Sequence, residues 1–272
     1  MPANRDAAEA FHALHRDGIL VLANAWDAGS ARLIESLGAR AIATTSCGVA
    51  WSHGYPDGDV LPVEQLVQTI ESIARVVGVP LTADVEGGYS DEPSAVGRTV
   101  ARVVEAGAVG INIEDGAGSP DLLCRKIEAC MEAAGRLGVR LFVNARTDVY
   151  LRGLAGEGER VDEILRRGKL YRDAGASGLF APGVVAVDEI SALVEGCGLP
   201  LNVMARPGLP DAKGLASLGV RRLSAGGDLA EALYARLAAL AGDFLADGAS
   251  EPLAEEAMAY ADLNRLMQVA QA

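Results

Sequence analysis

A (β/α)₈ barrel of the TIM type, carrying an extra C-terminal helix, is the fold this sequence predicts, on three observations. Short apolar runs recur without polar alternation, as strands buried on both faces do. They fall at 19–23, 41–45, 80–85, 109–114, 140–146, 177–181, 199–204 and 221–224. Segments of helical length separate nearly all of them, the alternation of an α/β fold with a parallel sheet. A glycine sits just before most of these strands, at 37–39, 77–79, 106–108, 137–139, 174–176 and 218–220, where a helix must stop and a short connection begin. A chain of 272 residues fits one barrel-sized domain. The competing open, doubly wound sheet wants a glycine-rich phosphate loop after its first strand. That turn reads Asn24-Ala25-Trp26-Asp27 here.

In chain order, 3–17 reads as a helix with Phe11 and Leu14 on one face, stopped by Gly18. After the first strand a polar turn opens a helix at 28–37. The second strand leads into a long loop, 49–62, rich in Gly and Pro and therefore functional or mobile. Helices at 63–77, 92–106, 121–137, 160–174 and 187–195 alternate with the middle strands, and a short helix at 211–217 precedes the eighth. An Ala- and Leu-rich helix follows at 229–245. A linker, 247–250, leads to a last helix at 252–269, which carries Leu253, Tyr260, Leu263 and Leu266 and has no strand to return to. Residues 1–246 thus read as the catalytic barrel, and 247–272 as an oligomerisation segment.

Half of the residues are hydrophobic but only 4% are aromatic, so Ala, Val, Leu and Ile must fill the core. Lys and Arg number 24 against 37 Asp and Glu, a net charge of −13. That argues against nucleic acid and anionic membranes as partners. The cysteines Cys47, Cys124, Cys130 and Cys197 form no Cys-x-x-Cys pair, and His12, His15 and His53 give no zinc-finger spacing. Without a leader-like start or a membrane-length apolar run, a reducing cytoplasm is the expected location.

The chemistry gathers at strand ends, where barrels of this kind keep their active sites. The third strand ends in Asp84 and Glu86, one residue apart and followed by Gly87-Gly88. If the strand persists to Glu86, both carboxylates aim at one spot. Two such charges repel unless a cation lies between them or one takes up a proton. Glu114 and Asp115 close the fourth strand. Successive acidic strand ends suggest a hard-cation site of the magnesium type; helix capping or pairing with arginines is the plainer alternative. Arg146 ends the fifth strand and suits a carboxylate. Thr45, Ser46, Cys47 and Gly48 offer hydroxyls and backbone N–H groups for another. Metal beside carboxylate-binding groups suits a substrate that forms an enolate.

These segments resemble the isocitrate lyase/phosphoenolpyruvate mutase superfamily. The resemblance rests on 44–50, Gly54-Tyr55-Pro56-Asp57, 83–89, Gly110-Ile111-Asn112-Ile113-Glu114-Asp115 and Ala145-Arg146-Thr147-Asp148, in the family's order. It implies a barrel whose last helix is swapped between subunits, usually in a tetramer, although a dimer also fits. It implies Mg²⁺, with Mn²⁺ as a substitute. Asp84 would be the direct ligand, and Glu86, Glu114 and Asp57 would hold metal-bound waters. Thr45, Ser46, Cys47 and Gly48 would bind the substrate carboxylate, with Trp26 and Asn202 in the pocket and Arg146 on the carboxylate and keto oxygens. Arg146, Asp57 and Glu114 are the expected catalytic groups.

The lyases' Lys-Lys-Cys-Gly-His-type segment is missing after the fourth strand, where Asp115-Gly116-Ala117-Gly118-Ser119-Pro120 stands instead. Cys124 lies in a helix and reads as structural. The expectation is a Mg²⁺-dependent lyase acting on a small α-keto or α-hydroxy di- or tricarboxylate. Oxaloacetate, α-ketoglutarate, isocitrate and pyruvate are the candidates for its ligand. A phosphonopyruvate-type hydrolase or mutase, or a keto-acid-binding protein with vestigial catalysis, are the alternatives. Among lesser candidates, His53 could act in acid–base chemistry, Tyr89 could donate a proton or line a wall, and His12 and His15 read as surface residues. Asp27 reads as a helix-terminal charge and Asp148 as an arginine partner.

Overall fold

In a computed structural model describing residues 2–268, nine strands form one parallel sheet. They are β1 (Leu20–Leu22), β2 (Asn24–Ala25), β3 (Ile42–Thr44), β4 (Leu81–Asp84), β5 (Gly110–Glu114), β6 (Phe142–Arg146), β7 (Gly178–Phe180), β8 (Leu201–Met204) and β9 (Arg222–Ser224). Their order is β1-β9-β8-β7-β6-β5-β4-β3-β2. β1 and β2 are one stave that changes partner at Ala23: Leu20 pairs with Arg222 of β9, and Asn24 with Ala43 of β3. The ring therefore has eight staves, as expected.

The helices are α1 (Pro2–Ala13), α2 (Ala28–Ser36), α3 (Ser46–Ser52), α4 (Val63–Ala74), α5 (Pro93–Glu105), α6 (Pro120–Arg136) and α7 (Val149–Arg152). They continue as α8 (Arg160–Asp173), α9 (Val187–Cys197), α10 (Ala212–Ser217), α11 (Asp228–Asp247), α12 (Glu251–Ala254) and α13 (Tyr260–Leu266). Four corrections follow. The stretch 46–52 is helical rather than the start of a long loop, because Thr45 turns out of β3 in an extended conformation and a helical turn closes behind it. β4 ends at Asp84, short of Glu86, whose φ of +51° turns the chain off the strand. The single last helix is two, α12 and α13, separated by an extended Glu255 and by Glu256 at φ +56°. Its expected end at Val269 lies outside the described residues.

The fourth correction concerns His15, which is buried instead of superficial. Phe11 from α1 and His15 just beyond it close the N-terminal end of the barrel. The Phe11 ring meets Phe142 edge-on at 5.3 Å, and the His15 ring stacks on Phe142 at 4.0 Å. Gly110 makes this possible: a Cβ there would stand 2.7 Å from the Phe11 ring. The bottom is thus sealed by Phe11, His15 and Phe142, while mostly Val, Ile, Leu and Ala fill the rest of the core.

Residues two apart share a strand face, so the barrel interior is built in layers. Above the aromatic plug lies a polar layer of Asn112, Asn144, Asn202 and Arg222, all nearly inaccessible. Asn144 donates to the side-chain oxygens of Asn112 and Asn202, both at 2.9 Å, and Arg222 Nη2 donates to Asn112 at 3.1 Å. A Cβ on Gly178 would stand 2.8 Å from Asn144 Oδ1, so this glycine leaves room for the amide. Two residues further along lie Glu114, Arg146, Phe180, Met204 and Ser224, at the C-terminal mouth.

Candidate active site

Asp84 enters the mouth from β4 and is buried. Its oxygens accept from Glu86 N at 3.1 Å and from Asn112 Nδ2 at 3.3 Å. The Asn112 oxygen is already engaged by Asn144 and Arg222. Its amide must therefore present the donor to Asp84. Burial pushes the Asp84 carboxyl up, while Arg146 pulls it back. Glu114 is pushed up to about 8, chiefly by burial and by nearby carboxylates, against the pull of Arg146.

Arg146 is clamped on one side. It meets Glu114 Oε2 at 2.6 Å, and its Nε and Nη2 form a fork to Asp148 at 2.7 and 3.2 Å. A guanidinium has five N–H donors, so two remain for a ligand. Asp148 is the arginine partner the sequence suggests; it also receives Arg152 at 3.0 Å. Asp115 points away from the mouth. It accepts from Arg167 at 2.8 Å, Tyr171 at 2.6 Å and Asp148 N at 2.9 Å, bracing the ends of β5 and β6 against α8.

A cavity of about 140 Å³ opens at the mouth. On one side it is lined by Thr45, Ser46, Cys47, Asp57, Asp84 and Arg146. Leu151, Phe180 and Met204 form the other side, with Ser224, Gly226 and Gly227 between. The remaining expected residues stand around this cavity rather than in its wall. Glu86 accepts from Gly58 N at 2.8 Å, from Asp59 N and from Tyr89 OH at 3.0 Å, so it fastens the loop that presents Asp57. Glu114 stands behind Arg146, facing a neighbouring cleft of about 350 Å³. Trp26 packs on Gly48, where a Cβ would come within 2.9 Å of Trp26 Cβ and 2.7 Å of Thr45 Cγ2. Asn202 belongs to the buried layer beneath, bonded to Asn144 and Ser224. His53 is engaged outside the mouth, at 2.8 Å from Thr69 on α4. Asp27 caps α2 through Ser30 N at 2.6 Å.

Sequence reasoning missed Asn112 and Asn144, although each stands two positions before a residue it singled out, Glu114 and Arg146, and so shares its face. Leu151, Phe180 and Ser224 gave no comparable signal. Among the described residues, no three His, Cys, Asp or Glu side chains gather closely enough to enclose a metal by themselves. The donors near Asp84 are carboxylate oxygens. They fit an ion that takes one or two carboxylates and keeps its waters, and not one that needs four protein ligands.

The chain is similar to several known proteins. The sequence profile described as phosphoenolpyruvate phosphomutase matches residues 11–245. An uncharacterised protein of Mycobacterium tuberculosis (strain ATCC 25618 / H37Rv) is 38% identical over 260 residues, covering 93% of this chain and 94% of its own. An oxaloacetate decarboxylase of Pseudomonas paraeruginosa (strain DSM 24068 / PA7) is 31% identical over 220 residues, covering 73% of this chain and 71% of its own. A crystal structure of a Burkholderia cenocepacia J2315 protein, provisionally described as a lyase/mutase, superposes with a TM-score of 0.89. It shows 36% identity and covers 100% of this chain and 99% of that one.

Proposed function

The chain belongs to the phosphoenolpyruvate phosphomutase family, and on that premise we propose that it is a Mg²⁺-dependent enzyme. It breaks a carbon–carbon bond of a small 2-oxo or 2-hydroxy di- or tricarboxylate by way of an enolate. The observation that best supports this reading is the convergence of Asp84, Asp57, Arg146 and the 45–47 turn on one small cavity. The similarity to an oxaloacetate decarboxylase makes oxaloacetate the first substrate to try.

In this reading Asp84 would hold a magnesium ion, with Asp57, Glu86 and Glu114 assisting through water, and manganese could take its place. The ion would supply a Lewis acid for the negative charge that develops on the keto oxygen. The chain's own groups do the rest. The Thr45 and Ser46 hydroxyls and the two uncommitted N–H groups of Arg146 fix the substrate carboxylate. Glu114 and Asp148 hold the guanidinium still. Glu86 keeps Asp57 in place by anchoring the backbone on its far side. The assembly is a homo-oligomer, a tetramer or a dimer, that covers the apolar faces of α11 to α13.

Asp84→Ala tests the reading. It should abolish metal-dependent turnover of oxaloacetate, a loss of at least about 100-fold, with the circular dichroism spectrum unchanged. Full activity in that variant, or phosphate release from phosphonopyruvate by the wild type, would overturn it.

A further inference from the structure

In a ring of eight staves, β9 stands across from β5. Arg222 of β9 spans that distance. Its Nη2 donates to Asn112 Oδ1 of β5 at 3.1 Å, and the side chain is 1% exposed. It therefore crosses the lumen beneath the mouth cavity, whose lining includes Asn112. The Asn112 Nδ2 donates in turn to Asp84 Oδ2, so two hydrogen bonds separate the guanidinium from that carboxylate. Among the described residues no carboxylate forms an ion pair with Arg222, and its Nε and Nη1 have no partner. Burial lowers the guanidinium to about 9, against the pull of Asp84, so it stays charged at neutral pH. Below it, His15 is held neutral and offsets nothing.

A buried arginine without an ion pair is costly to the fold. Nor is its bond needed to orient Asn112, whose oxygen also accepts from Asn144 at 2.9 Å. A charge kept at that cost, under the lining of a cavity, acts through its field. We propose that Arg222 is a counter-charge for the anionic ligand of the mouth cavity, acting from beneath without touching it. This rests on the keto-acid reading above and adds a second cation to the one that grips the ligand, Arg146. In a low-dielectric interior a fixed charge still counts across an intervening side chain. It is also in place before negative charge develops on the substrate. Such a field has one sign: it favours an anion and disfavours a bare divalent cation. The site thereby takes a divalent metal and a dianion together more readily than the metal alone.

The test is a calorimetric titration of wild type, Arg222→Met and Arg222→Gln at pH 7.5. Mn²⁺ alone is the first ligand, and oxalate, a small dianion, is the second, at saturating Mn²⁺. A urea titration of each metal-free protein gives its stability. Both variants should bind oxalate about 10-fold or more weakly, the order that one buried charge gives at this remove. Both should bind Mn²⁺ as tightly as wild type or up to about 10-fold tighter. The urea midpoint of Arg222→Met should not fall, because an apolar side chain replaces an unpaired charge. Arg222→Gln can still donate to Asn112, so it separates the charge from the hydrogen bond. Weaker binding of both ligands, or a lower urea midpoint for Arg222→Met, is the mark of a structural role and would overturn the proposal. So would oxalate affinity within about 2-fold of wild type in either variant, or failure of both variants to fold. A wild type that binds Mn²⁺ and oxalate while the variants match it would sink this proposal and leave the keto-acid reading standing. A wild type that binds no oxalate would remove both.

Discussion

At the scale of single residues, the interior polar groups govern how the protein responds to pH and to substitution. His15 Nδ1 lies 2.8 Å from Phe11 O and donates to it, so Nε2 carries the lone pair, buried and without a partner among the described residues. Burial, helped by the charge of Arg222, holds His15 down at about 3. The unfolded chain then binds the proton more readily than the folded one between about pH 6.5 and 3. The folded state should therefore lose stability as pH falls through that window, by about 2 kcal/mol from this residue at pH 5. His15→Leu should shrink the difference in urea stability between pH 7.5 and pH 5; an unchanged difference would refute the assignment. The amide layer gives a second expectation. Asn144→Leu removes the donor to Asn202 Oδ1 and one of two to Asn112 Oδ1, which should cost about 1–3 kcal/mol for the acceptor left unpaired, read by the same urea titration.

At the scale of elements, α1 acts as a stopper. Phe11→Ala would leave a void between Phe142 and Gly110 and should cost about 3–5 kcal/mol, seen as a lower Tm in a melting curve. The eight staves and most helices were legible because their cues are local: an apolar run, and a glycine where a helix stops. The ends of elements were less so. Nothing local separates Glu86 on a strand from Glu86 turned at positive φ to catch the Gly58 and Asp59 amides. The helix at 46–52 was hidden by Gly48, which is there to let Trp26 and Thr45 approach. The carboxylates and Arg146 were legible as a set because polar groups at the ends of buried strands are conspicuous. Phe180 was not, because an apolar residue at a strand end looks like any core residue until the ring order places it across from β3 and its Thr45 turn.

At the scale of the whole molecule, α11 leaves Leu233, Leu237 and Leu245 exposed at 55%, 59% and 84%. α13 lies against the chain's own α2, where Arg32 Nε donates to Leu266 O at 3.1 Å. This surface suits burial against another copy of the chain. Light scattering should give a mass that is a multiple of 28.1 kDa, and Leu233→Glu with Leu237→Glu should reduce it to that value. Among the described residues no helix is long and apolar enough to cross a membrane. The stave that changes partner at Ala23 also dictates the order in which the chain can be completed. Leu20 leaves the ribosome early but cannot pair with Arg222 until some two hundred residues later. Closing so long a loop is slow, and until then the β1 stave and the strand made last are open sheet edges that invite pairing with other chains. Nascent chains halted before residue 222 should therefore pellet on centrifugation, whereas the complete chain stays in the supernatant.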